Sequence, residues 1–191
     1  MGKYFGTDGV RGVAGADLTC EMAMLIGRGA AAVLTSSTGH KPRILIGKDT
    51  RQSGDMLEAA LTAGLCSVGA DVESLGVVPT PAVAYLVRKY NADAGVVISA
   101  SHNPMEFNGI KIFAGTGYKL PDDVEEEIEA HIDDKCAGIP LATGDGVGRV
   151  TCRIDGIKDY VEHLYESIGG DLSGLNVCIC LLYTSPSPRD A

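Results

Sequence analysis

The sequence predicts an α/β protein, a three-layer α/β sandwich around a mixed, mainly parallel sheet, with the opening of a second α/β domain behind it. Three observations carry this. Residues 43–47 and 96–98 are short apolar, β-branched runs of the kind found in strands covered on both faces, and 71–77 alternates as a strand does. Between these runs lie segments whose apolar residues recur at helical spacing, the pattern of strand–helix–strand crossovers. The runs also end in polar clusters, at the edge where open α/β sheets collect ligands.

In chain order, Gly6-Thr7-Asp8-Gly9-Val10-Arg11-Gly12 reads as a glycine-punctuated loop after Tyr4-Phe5. No strand precedes it and no helix opens on its glycines, so it is not a dinucleotide fingerprint. Its chemistry lies in Arg11, whose planar fork can grip phosphate oxygens; read from the residues alone, a solvated arginine in an ordinary turn stands equally. Thr19 caps a helix with Glu21 in its first turn and Met22, Ile26, Gly29 and Val33 on its buried face. Gly27 and Gly29 permit close packing against a sheet, and residues 36–41 form a loop.

The strand at 43–47 runs into Lys48-Asp49-Thr50-Arg51-Gln52-Ser53. Gly47-Lys48 lacks the spacing glycines and the following Ser/Thr of a nucleotide phosphate loop. Ser53 is placed to cap a helix with Leu57, Leu61, Gly64 and Val68 inward, and Arg51 reads as a surface ion-pair residue. After the strand at 71–77, Thr80 caps and Pro81 starts a helix with Val83, Val87 and Tyr90 inward.

Residues 96–98 then deliver Ser99-Ala100-Ser101-His102-Asn103-Pro104 to the sheet edge, where Pro104 forbids further pairing. Ser99 is the last strand residue, whereas Ser101 lies in the loop behind small Ala100, which makes Ser101 the candidate nucleophile. The competing reading has Ser101 and Asn103 bonding local backbone as ST- and Asx-turns. His102 follows Ser101 directly, so in extended backbone it points away and a hydrolase-type Ser–His pair is not expected. Residues 109–113 form the next strand. Lys111 there faces away from Ile110 and Ile112, towards either the serine loop or solvent, as an edge-strand lysine does.

Residues 121–134 form an acidic helix with Val124, Ile128 and Ile132 inward. Its paired carboxylates are adjacent rather than three or four apart, which describes a solvated face and not a metal cluster. Residues 135–148 mark a boundary. Asp155 caps a last helix with Ile157, Val161, Leu164 and Ile168 as its stripe, His163 without a partner, and Gly169-Gly170 as its stop. Residues 175–180 begin a strand. The expected organisation is a first domain over 1–153, the start of a second over 154–180, and a tail over 181–191. Its Ser-Pro units suit an extended end and look like a non-native addition.

Composition narrows the function. A net charge of −9 argues against nucleic-acid or anionic-membrane partners, so any phosphate site is a local pocket. No apolar run is long enough to span a bilayer and no signal-peptide core is present, which points to the cytoplasm. The six cysteines lie mostly in apolar contexts as reduced thiols and are assigned no metal.

Three strings in order, residues 6–12, 98–104 and Phe107-Asn108-Gly109-Ile110-Lys111-Ile112, together resemble the α-D-phosphohexomutases. The resemblance runs from about Lys3 to Cys180, and the opening string is most similar to the branch acting on glucosamine phosphates. It implies an isomerase that interconverts sugar 6- and 1-phosphates through a phosphoserine, Mg2+ and a 1,6-bisphosphate, here glucosamine or glucose 1,6-bisphosphate. On this resemblance Ser101 is the phosphoserine and a metal ligand through its phosphate. Arg11 and Lys111 stabilise the moving phosphoryl group, Lys111 or a neighbour exchanges a proton, and His102 positions. Asn103 and Arg51 count as substrate-binding, with Arg51 supporting the serine loop. No Asp-x-Asp-x-Asp string, which supplies the remaining metal ligands in relatives, occurs in this sequence. The family reading extends to a phosphosugar substrate and is compatible with a homodimer of the intact parent, of which this chain would be an N-terminal fragment inactive alone. A mutase for mannose or glucose phosphates and a non-catalytic phosphate-binding fragment are the alternatives.

Overall fold

The computed structural model describes residues 2–178. Among them, a six-stranded sheet has the order β1 (Val10–Val13), β5 (Phe107–Ala114), β4 (Ala94–Ile98), β2 (Arg43–Lys48), β3 (Asp71–Val77) and β6 (Val150–Cys152). The four strands β4, β2, β3 and β6 run parallel, and β5 and β1 are added antiparallel at one side. The mixed, mainly parallel sheet is therefore as the sequence predicts.

Strand alternation divides the interior in two. Ile44, Ile46, Val96, Ile98, Ile110 and Ile112 face one way, onto α1 (Cys20–Thr38), α2 (Ser53–Ser67) and α4 (Asp122–Asp133). Leu45, Leu75, Val97 and Phe113 face the other, with Val83, Leu86 and Val87 of α3 (Thr80–Lys89) and Tyr160 of α5 (Gly156–Ile168). This is the three-layer arrangement, with period-2 side-chain direction sorting residues between layers.

Several local expectations change. Residues 10–13 form a strand, not a continued loop, because β5 offers them an antiparallel ladder from Val10↔Ile110 to Val13↔Phe107. Helix α1 continues through Thr38, into the stretch read as loop. Thr19 does cap it, accepting the Met22 N–H at 3.2 Å. Its glycines serve helices rather than the sheet: a Cβ on Gly27 would stand 2.5 Å from the Leu61 carbonyl oxygen of α2, and one on Gly29 would press on Ile128 and His131 of α4. Ser53, Thr80 and Asp155 make no capping bond; Ser53 and Thr80 are already helical, behind Gln52 and Pro79. On α5 the stripe Ile157, Val161, Leu164 and Ile168 is exposed, and the buried residues are Gly156 and Tyr160. His163 has a partner after all, stacking on Tyr85 with ring centroids 3.9 Å apart. Residues 175–178 are not in a strand; 179–180 and the 181–191 tail lie outside the described residues. The five described cysteines are free; burial pushes the Cys66 and Cys136 thiols up, whereas Cys152 and Cys178 are exposed.

The acidic helix α4 is not simply a solvated face. Glu129 is buried, and its carboxylate accepts the backbone N–H groups of Lys3 at 2.8 Å, Tyr4 at 2.6 Å and Phe5 at 2.7 Å. Glu125, also buried, accepts from Lys119 Nζ at 2.6 Å. Desolvation alone would raise the Glu129 carboxyl, but the donors from Phe5, Tyr4 and Lys3 outweigh it and hold it below the ordinary carboxylate value. A carboxyl depressed on folding contributes stability that is present above its unfolded value and lost as pH falls through its folded one. Glu129→Gln is therefore expected to cost about 1–3 kcal/mol at neutral pH and to shrink the loss of stability below pH 4.5, as read by thermal unfolding across pH.

Candidate functional site

The site forms where β4 ends. Ser99 continues the β4–β5 ladder by one bond, its N–H donating to the Gly109 carbonyl at 2.9 Å, and the chain then leaves the sheet. Ser101 takes a left-handed conformation, φ +57°, which L-residues adopt at a cost. It is held there from both sides. Its N–H donates to Ser99 Oγ at 3.0 Å, Ser99 Oγ–H donates to Asp49 Oδ2 at 2.7 Å, and its carbonyl accepts from Arg51 Nη2 at 3.1 Å. The ST-turn of this loop thus belongs to Ser99, leaving the Ser101 hydroxyl exposed.

Arg51 organises the whole loop. Its Nε donates to Asp49 Oδ2 at 3.0 Å, Nη1 to the carbonyls of Pro104 at 2.6 Å and Phe107 at 3.0 Å, and Nη2 to those of Ser101 and, at 2.7 Å, Asn103. These are all the N–H groups a guanidinium has. Arg51 is therefore turned to protein rather than to a ligand. Lys48, beside it at the end of β2, is likewise bonded to Asp55 and Glu58 of α2.

Because Ser101 is left-handed, the loop curls and the extended-chain argument about His102 fails: His102 Nδ1 lies 3.3 Å from Ser101 Oγ. On the sheet face that carries α3, Arg11 and Lys111 come together. β1 pairs Arg11 with Gly109, and a Cβ on Gly109 would sit 2.9 Å from Arg11 Cγ, so the glycine leaves the space the arginine side chain occupies. Lys111 follows two residues on, on the same face. The loop before β1 closes on itself by reciprocal Gly6–Gly9 bonds of 3.1 Å, with Thr7 and Asp8 at its tip. Gly9, at φ +80°, lies against β5, where a Cβ would meet the Ile110 carbonyl at 2.3 Å. Asp8 Oδ2 is thereby 3.2 Å from Arg11 Nη1, and Asp8 Oδ1 is 3.9 Å from Lys111 Nζ.

Ser101 stands on the wall shared by two clefts. One, of about 220 Å³, is lined by Asp8, Arg11, Thr80, Ser99, Ser101 and Lys111. The other, about 900 Å³, is lined by Arg51, Ser53, Asn103, Met105 and Glu106 among others. The larger offers no free arginine donor, whereas in the smaller the Arg11 Nε is buried with no hydrogen-bond partner. The smaller cleft is thus the one suited to an anion at Ser101. The structure brings Ser101, Arg11 and Lys111 to this side and leaves Asn103 and Arg51 on the other, while His102 lines neither cleft. Among the described residues no three His, Cys, Asp or Glu side chains converge to hold a metal. The nearby carboxylates Asp8 and Asp49 already face arginines, so this donor set does not fit a magnesium ion by itself.

Sequence reading passed over Asp8 and Thr80 in the small cleft and gave Ser99 and Asp49 no part in holding the loop. The spacing of Ser99 and Ser101 carried a usable signal, since a hydroxyl two residues before an N–H is the ST-turn register.

Comparison with known proteins follows the same lines. A family model described as phosphoglucomutase/phosphomannomutase, alpha/beta/alpha domain I, matches residues 2–137. The chain is 60% identical over 179 residues to the phosphoglucosamine mutase of Acetivibrio thermocellus and 56% identical over 179 residues to that of Clostridium acetobutylicum, covering 94% of this chain in each case. It spans about 40% of the length of these curated relatives. A solved structure of a phosphoglucomutase/phosphomannomutase family protein from Burkholderia thailandensis superposes with a TM-score of 0.69 at 26% identity, covering 85% of this chain and 35% of that one.

Two outcomes follow from the loop. Arg51→Lys, with three donors in place of five and no planar fork, is expected to cost about 2–4 kcal/mol and to expose the amides of residues 101–107 to hydrogen exchange. Ser101→Gly, which adopts φ +57° without penalty, is expected to be about 1 kcal/mol more stable than Ser101→Ala in thermal unfolding.

Proposed function

Since the chain belongs to the phosphoglucomutase/phosphomannomutase family, we propose that it carries the phosphoserine domain of a phosphoglucosamine mutase, which interconverts glucosamine 6-phosphate and glucosamine 1-phosphate in the cytoplasm. The observation that carries the reading is the exposed Ser101 hydroxyl, fixed at the end of a buried strand beside a cleft containing Arg11 and Lys111. On this reading residues 1–153 form that domain and 154–180 begin the next.

Phosphorylated Ser101 transfers its phosphoryl group to the 1-hydroxyl of glucosamine 6-phosphate. The Ser101 Oγ–P bond breaks, a P–O bond to the sugar forms, the sugar hydroxyl loses its proton and Ser101 Oγ gains one. The 1,6-bisphosphate then turns and returns its 6-phosphoryl group to Ser101. Arg11 and Lys111 neutralise charge that spreads over the moving group, and Lys111 or a neighbour exchanges the sugar proton. His102, 3.3 Å from Ser101 Oγ, orients the hydroxyl between transfers. Arg51 and Asn103 set the loop against the larger cleft, where the sugar enters. Magnesium, when bound, would neutralise the phosphoserine; this chain supplies the Ser101 phosphate to it.

A chimaera in which this chain's matched segment replaces its counterpart in the Acetivibrio thermocellus relative is the test. It is expected to convert glucosamine 6-phosphate in preference to mannose or glucose phosphates, and to lose turnover by at least about a thousandfold with Ser101→Ala. A folded chimaera without turnover overturns the mutase reading in favour of a phosphate-binding one, and preference for a neutral hexose phosphate moves it to another branch of the family.

A further inference from the structure

The small cleft contains one group that a phosphate site does not need. Asp8 places a carboxylate 3.2 Å from Arg11 Nη1 and 3.9 Å from Lys111 Nζ, the two cations assigned above to the phosphoryl group. Its side chain is about half exposed and it makes no other ion pair among the described residues. Its position is built, not incidental. The Gly6–Gly9 bonds close the turn independently of the Asp8 side chain, and Gly9 seats that turn on β5 at Lys111. The carboxylate can therefore swing away from the cations without breaking a main-chain bond of the turn.

We infer that Asp8 is an internal counter-anion, a positioning residue that holds Arg11 and Lys111 while Ser101 carries no phosphate and gives them up when a phosphate enters the cleft. Two anions compete for the same two cations. A like charge held within a few ångströms weakens phosphate binding, and removal of the phosphate leaves both cations with the Asp8 carboxylate as an ion-pair partner. Such a group limits how long phosphate stays on the cations, which suits a site that must release the same group it receives. The inference rests on the assignment of Arg11 and Lys111 to phosphate.

The test is titration of the full 191-residue chain with inorganic phosphate, followed by amide chemical shifts of residues 6–11 and 99–111. Asp8→Asn is expected to bind phosphate about three- to tenfold more tightly, Asp8→Glu to bind as the unaltered chain does, and Asp145→Asn, a remote exposed neutralisation, to change nothing. A tightening localised to Asp8 is not something a merely structural residue produces. If Arg11→Ala and Lys111→Ala each weaken binding while Asp8→Asn leaves it unchanged or weaker, the counter-anion role is overturned and the phosphate reading stands. If Arg11→Ala and Lys111→Ala leave phosphate binding unaltered, the assignment of the cations fails and the role of Asp8 falls with it.

Discussion

The saturation of one guanidinium governs this structure at its working end. Arg51 sits on the turn after β2, and it reaches across to three carbonyls of the loop between β4 and β5 and to that of Phe107 at the start of β5, while its Nε is fixed by Asp49. A loop that leaves a sheet loses its ladder partners and must satisfy its backbone elsewhere. Here a single planar fork does so, which ties a strand's end to its neighbour's and lets Ser101 keep a backbone conformation it would otherwise abandon. The serine is exposed, yet the strain at its φ is sustained by groups that are not.

The remainder of the site follows from parity and register. Isoleucines and leucines on alternating positions commit the sheet to two cores, and residues of the opposite parity on β1 and β5 must then emerge on the α3 face. Arg11 and Lys111 are brought together in this way by backbone pairing. The antiparallel addition of β5 and β1 to a parallel sheet places the cations beside the serine instead of one crossover away.

The layers, the central strands β2, β3, β4 and β5 and the parity of Lys111 were legible in the sequence because they are consequences of apolar periodicity, which is local, whereas the edge strands β1 and β6 depend on the neighbours that pair with them. The identity of the serine loop was legible through three strings in family order. What was not legible depended on distant partners. Nothing near Glu129 announces that it will bind the N–H groups of residues 3–5, so it read as one more solvated carboxylate. Nothing near Arg51 states that its five donors are taken. The error over His102 was of another kind: a left-handed φ at a serine is rare enough that extended geometry was assumed. Of the expected helix caps Thr19 forms its bond, whereas Ser53, Thr80 and Asp155 fit the cap composition but make no capping bond.

Pairing of β1 with β5 also has a consequence in time. Val10 meets Ile110, about a hundred residues later in the chain. At the ordinary pace of synthesis, about 5–20 residues per second, Arg11 emerges from the ribosome about 5–20 s before the strand that will hold it. Until then the N-terminal residues have neither the β5 ladder nor Glu129 to bind, whereas β2, α2, β3, α3 and β4 can already assemble on one another. The first of the two site cations in the sequence is thus among the last parts to be placed, and the anion site is completed only after most of the scaffold that carries it.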